Sequence, residues 1–235
     1  MPRHLLLALL AIALAAPVAA RAQHEAPPTH ADTLRGSITP ERAWWDVTFY
    51  DLHARVSPAD STVAGYTGIT YRVTGPSRDM QIDLQEPLAV DSMVQSGHAL
   101  RFRRDGNAFF ATLTEPQPTG SVHTVTVYYH GRPRIAKNPP WDGGLTWTRD
   151  SLGARWIATS NQGLGASVWW PNKDTQADEP DSQRVAITVP DSMIDVSNGR
   201  LRSTTHNADH TTTYEWFVSS PINNYDVAVN AWSYA

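Results

Sequence analysis

One side-chain amide, Gln162, stands between Asn161 and Gly163 where a strand-like run gives way to the glycine loop Gly163-Leu164-Gly165. Its carbonyl oxygen can accept from an ammonium group and its NH2 can donate to a carbonyl, contacts that suit the free amino end of a peptide. A plainer assignment, a loop amide bonded to its own backbone, accounts for the same residues. Three other groups have residue types fit for chemistry. Gly165-Ala166-Ser167-Val168-Trp169 begins like a nucleophile elbow, but that turn needs glycine where Trp169 stands. His206 and His210 have the spacing of a zinc-binding helix, yet Asn207-Ala208-Asp209 and the flanking threonines mark a hairpin turn. Asp174, Asp178, Glu179 and Asp181 are hard oxygen ligands without the spacing of a calcium loop, and turn or cap roles account for them.

Strands must position these groups. Tyr50, Leu52, Ala54 and Val56 alternate with polar residues, as do Ile69-Tyr71-Val73, Met80-Ile82-Leu84, Val125-Val127-Tyr129, Val185-Ile187-Val189 and Tyr214-Trp216-Val218. Period-two patterning buries one face of a strand and wets the other. Turn chemistry at Ser57–Asp60, Gly75-Pro76, Arg104–Asn107, Pro116–Gly120, Asn198-Gly199 and Asn207–Asp209 separates the runs. The fold class expected is all-β: a twisted antiparallel β-sandwich or saddle-shaped open sheet of ten or more strands. Helices longer than two turns are not expected, and Asp178–Gln183 is the weak candidate for a helix start. Gly131–Gly144 is proline- and glycine-rich and reads as loop. Its Trp141 and the nearby Trp147 should anchor it to the core, with an exposed binding surface as the alternative.

Residues 1–22 have the form of an export signal, with a polar start, the apolar run Leu5–Ala16 and the small-x-small site Ala20-Arg21-Ala22. The run is short for a membrane span, so stable membrane insertion is not expected. Export to the periplasm or the extracellular space follows. Residues 23–43 read as a flexible leader, and 44–235 as one β domain. The net charge of −4 argues against nucleic acid as a partner. With no cysteine in the chain, thiolate metal sites and cysteine nucleophiles are excluded.

The run Gln162-Gly-Leu-Gly-Ala-Ser-Val-Trp-Trp-Pro171, then Lys173-Asp174 and Asp178-Glu179-Pro180-Asp181-Ser182, resembles the amino-terminal domain of the aminopeptidase N family of zinc metallopeptidases, in its secreted bacterial branch. So do Trp45–Leu52, Trp141-Asp142-Gly143-Gly144, Val196-Ser197-Asn198-Gly199 and Ser220-Pro221-Ile222-Asn223-Asn224-Tyr225. In order, these motifs cover about residues 44–235.

The resemblance implies a saddle-shaped β domain leading a thermolysin-like catalytic domain that carries the zinc. The family's His-Glu-x-x-His and Gly-x-Met-Glu-Asn motifs are missing from this sequence, so the chain is expected to hold no cofactor and to be inactive by itself. It is expected to end before the catalytic domain. In relatives, a Gln or Glu at the position of Gln162 reaches the substrate's α-amino group. The resemblance therefore makes Gln162 the leading substrate-binding residue, with Asn161, Gly163 and Leu164 lining the same wall. Trp169 and Trp170 are assigned to packing. The partners expected are a peptide's amino terminus and the catalytic domain. The alternative is a free-standing exported β module that binds a peptide, glycan or partner protein.

Overall fold

The computed structural model describes residues 27–233, so the export signal expected over 1–22 lies outside the described residues. Two short helices, α1 (His30–Gly36) and α2 (Pro40–Ala43), precede the strands. These are β1 (Trp45–Ser57), β2 (Thr62–Val73), β3 (Asp79–Asp83), β4 (Ala89–Gln95), β5 (His98–Ala99), β6 (Arg101–Asp105), β7 (Ala108–Thr112) and β8 (Val122–Gly131). Then follow β9 (Gly144–Arg149), β10 (Arg155–Ser160), β11 (Ser182–Pro190), β12 (Ile194–Val196), β13 (Arg200–His206), β14 (Thr211–Val218) and β15 (Asn230–Trp232). The architecture is all-β, as the alternation implies.

An eight-stranded sheet runs β13-β14-β11-β1-β2-β8-β4-β5. A four-stranded sheet, β12-β15-β10-β9, and a three-stranded sheet, β3-β7-β6, complete the fold. One pairing departs from the antiparallel expectation: β1 and β11 are parallel, with Leu52 opposite Val185. Parallel neighbours need a long crossover, and here the chain from β2 to β10 supplies it. The helix start considered at Asp178–Gln183 does not form; Ser182 opens β11.

The alternating residues close one core. Tyr50, Leu52, Val56, Ile69, Tyr71, Val127, Val185 and Ile187 are buried, and Met80 and Ile82 of β3 meet them with Leu84 just beyond it. Trp169 and Trp170 lie wholly inside, as their packing assignment requires, and Tyr50 meets Trp170 edge to face with ring centroids 5.0 Å apart. At the β1–β2 crossing only glycine fits: a Cβ on Gly65 would lie 1.9 Å from the His53 carbonyl oxygen.

In β3 the alternation misleads. Gln81 and Asp83 face away from the main core yet are buried. What covers them is the segment expected to be a flexible leader. Leu34 of α1 packs with Ala108 and Phe110. Arg42 of α2 is fully buried, and its Nη2 donates to Asp83 Oδ2 at 2.5 Å. Gln81 Nε2 donates to the Leu34 carbonyl at 2.9 Å, and Thr39 donates to Gln81 Oε1 at 2.7 Å. Over residues 27–43 the leader is thus a structured strap.

The short strand β12 inverts the usual polarity. Asp195 points inward and is fully buried, while Ile194 and Val196 face out. The Asp195 Oδ2 accepts from Trp216 Nε1 at 3.0 Å. Burial pushes its carboxyl up to about 7. A carboxyl raised in the folded state favours folding while protonated, and that advantage is lost as pH rises from about 4 through 7. Asp195→Asn should remove this loss, gaining up to about 4 kcal/mol over the parent at pH 8 and little at pH 4. Urea unfolding of both proteins across that range measures the difference.

Candidate functional site

The loop between β10 and β11 is built inward from its two tryptophans. With Trp169 and Trp170 sunk in the core, Asn172 pairs with Asp83 through a backbone bridge, at 2.8 and 3.1 Å. Lys173 is then carried into the interior. Its Nζ donates to the Trp45 carbonyl at 2.5 Å, sits 4.4 Å from the centroid of the Trp45 ring and pairs with Asp178. Burial pushes the Lys173 ammonium below its usual range, and Asp178 pulls it back up. Asp178 also accepts from the Val47 N–H at 3.2 Å. Asp174 accepts from Ala166 N, Ser167 N and Ser167 Oγ, capping the 3-10 turn Ala166–Val168. Asp174 thus has the cap role expected of it, whereas Asp178, expected at a turn or cap, is instead the buried counter-charge of Lys173.

The second motif docks on the first. Asn224 Nδ2 reaches Tyr50 Oη at 3.2 Å, Asn172 Oδ1 at 3.2 Å and the Lys173 carbonyl at 3.1 Å. Asn161 Nδ2 donates to the carbonyls of Tyr225 and Val227, at 2.6 and 3.2 Å. The Tyr225 hydroxyl donates to Gln162 Oε1. Two stretches some sixty residues apart therefore meet at Gln162.

The four expected site residues divide. Gln162 and Gly163 are exposed and line an open groove of about 770 Å³ with Tyr225, Asn223 and Asp174. Asn161 is buried and spends its amide on the backbone of the second motif, so it holds the wall rather than lining it. Leu164 is half-buried against the core and lines a neighbouring cavity of about 340 Å³ beneath α1. Gly163, at φ +71°, takes a backbone conformation that side chains disfavour, which explains a glycine directly after Gln162.

Sequence reasoning missed Arg35 and Ile38 of the strap, which line the same groove. Arg35 Nη2 donates to the Gly163 carbonyl. A signal was present: Thr29-His30-Ala31-Asp32 has capping-box spacing, and both reciprocal bonds form. The aromatic loop also departs from expectation. Trp147 packs against the core, but Trp141 is 75 % exposed. Asp142 pins that loop, accepting from Arg134 Nη2 at 2.8 Å and Lys137 N at 2.7 Å. The following Gly143 abuts the site, since a Cβ there would lie 2.9 Å from the Gln162 carbonyl oxygen.

Other candidate groups take structural places. Ser167 Oγ is buried between Asp174 and Gln85. His206 bonds Thr212 Oγ1 at 2.9 Å, and His210, at φ +59°, sits in the β13–β14 turn. Among the described residues no three His, Cys, Asp or Glu converge to hold a metal. No helix among the described residues is long and apolar enough to cross a membrane.

No family model and no curated protein matches this sequence. The fold is that of a part of the M1 zinc metallopeptidases. Similar solved structures include the M1 zinc metallopeptidase of Deinococcus radiodurans, with a TM-score of 0.69 and 21 % identity, covering 82 % of this chain and 43 % of that one. A mutant form of the enzyme bound to a Tyr-Ser-Ala substrate gives 0.69 and 22 %, covering 85 % and 45 %. Leukotriene A4 hydrolase from Saccharomyces cerevisiae gives 0.65 and 14 %, covering 88 % and 32 %. The chain thus spans less than half the length of these structures.

The buried Arg42–Asp83 pair ties strap to site, because Asp83 Oδ2 also accepts from Asp174 N at 2.9 Å. Arg42→Ala should cost about 3–5 kcal/mol by stranding a buried carboxylate. The double change Arg42→Met with Asp83→Leu should recover much of it. Chemical denaturation of the three proteins checks both.

Proposed function

We propose that the chain is the amino-terminal β domain of a zinc-dependent aminopeptidase, an enzyme that removes N-terminal residues from peptides. Its part is to wall one side of the substrate cleft and hold the peptide's amino end through Gln162. The observation that carries this is the clasp between Gln162 and Tyr225 at the groove, made by residues of the two motifs on which the resemblance rests. Tyr225 donates to Gln162 Oε1 and so fixes the side chain with a lone pair on that oxygen for an ammonium and the NH2 for a carbonyl. Zinc chemistry belongs to a catalytic domain; this chain binds and orients. Export to the periplasm or beyond remains part of the proposal, on the strength of residues 1–22.

A further domain as partner is supported by the outward face of the four-stranded sheet. Ile194 of β12 and Trp156 of β10 stand on the same face, each in register with Trp232 of β15 between them. Ile194, Val196 and Trp156 are each about two-fifths exposed. Exposed apolar side chains gathered on one face suit contact with another domain. The second reading, a free-standing binding module, is favoured by Trp141, held outward on its pinned loop.

Titrating the isotope-labelled chain with leucinamide should shift the resonances of Gln162, Gly163 and Tyr225, and N-acetyl-leucinamide should not. Gln162→Ala should weaken leucinamide binding roughly tenfold. Equal shifts from both probes would remove the ammonium contact. The chain by itself should leave a fluorogenic amino-acid amide uncleaved; turnover abolished by a chelator would overturn the proposed division of labour.

A further inference from the structure

The groove beside Gln162 has a wall that none of the motifs supplies. Gly36 and Ile38 of the strap line it together with Arg35. Ile38 is 53 % exposed, a large aliphatic side chain left open to solvent at the mouth of a polar site. The backbone that displays it is held firmly. Buried Arg42 donates through Nη1 to the carbonyls of Arg35, at 3.1 Å, and Ser37, at 2.9 Å. Ser37 N donates back to the Thr33 carbonyl at 3.3 Å, closing α1 directly before Ile38. On the other side, Arg35 joins this segment to the Gly163 carbonyl. Ile38 and Gln162 are therefore set in one frame, from segments 124 residues apart in sequence.

We infer that Ile38 is a specificity residue of this groove, taking the side chain of an apolar first residue while Gln162 takes its ammonium. Arg35 is the positioning residue that keeps the two at a fixed separation. The inference rests on the peptide-binding role proposed above and adds a substrate class to it: peptides that begin with an aliphatic residue. The physical ground is simple. An isoleucine already ordered on a braced backbone loses little conformational freedom when a ligand covers it, so the apolar area buried is gained almost in full. Ala177 is the other apolar side chain on the groove's lining, and it extends the same surface. Glycine at position 36 leaves the approach unobstructed, since nothing lies within 4 Å of where its Cβ would be.

The test uses the full chain with leucinamide and glycinamide as probes, read by resonance shifts. The parent should bind leucinamide about five- to tenfold more tightly than glycinamide. Ile38→Ser should cut that preference to about twofold or less, with glycinamide affinity unchanged, and Ile38→Val should retain most of it. Gln162→Ala should weaken both probes alike, which separates the ammonium contact from the side-chain wall. Arg35→Ala should move the Gln162 and Gly163 resonances and erode the preference without lowering the melting temperature, and Arg35→Lys should restore part of it. A leucine preference that survives Ile38→Ser overturns the assignment even if Gln162→Ala behaves as proposed. Loss of the preference in Ile38→Ser with no effect of Gln162→Ala keeps the wall and overturns the ammonium contact. Failure of both probes to bind overturns both.

Discussion

Arg42 is fully buried, and much of this molecule is arranged around that fact. A buried guanidinium is tolerable only with a counter-charge and acceptors in place. Asp83 supplies the charge, and the carbonyls of Arg35 and Ser37 supply acceptors. Asp83 is itself raised by burial and drawn back by Arg42, and its carboxylate accepts from Asp174 N and from Gln81. One ion pair therefore fixes the strap on β3, β3 on the Trp169–Asp174 segment, and that segment beside Gln162. Removing either charge would loosen the strap and the groove together.

Lys173 repeats the principle on the other side of the same segment. It is held by Asp178, the Trp45 carbonyl and the face of the Trp45 indole. Between the two cations, Asn224 Nδ2 donates to Asn172 Oδ1 and to the Tyr50 hydroxyl. The string of polar residues after the two tryptophans is thus an internal scaffold, and Gln162, its tyrosine and the strap face the groove.

The strands were legible because alternation is a local consequence of burying one face. Tyr50, Leu52, Ala54 and Val56 are inside because the period of a strand puts them there. Gln162 was legible as a candidate because an amide beside glycines, in a run of known likeness, narrows the choices. The parallel pairing of β1 with β11 was not, since partner and direction depend on where the crossover returns. Nor was the burial of Gln81 and Asp83, which needs a segment forty residues earlier to cover them. Trp141 was expected inward with an exposed surface as the alternative, and it stands outward, because Asp142 rather than the indole anchors its loop.

By itself the sequence determined the class of fold and the sites of the turns. Each is set by neighbours within a few residues, where steric limits and side-chain period act directly. Tertiary structure alone decided that residues 27–43 form a strap, that Asn161 supports rather than lines the groove, and that Arg35 and Ile38 share a cavity with Gln162. Those outcomes turn on charges and aliphatic groups finding distant partners in a dry interior, and no local pattern records which partner lies across the gap.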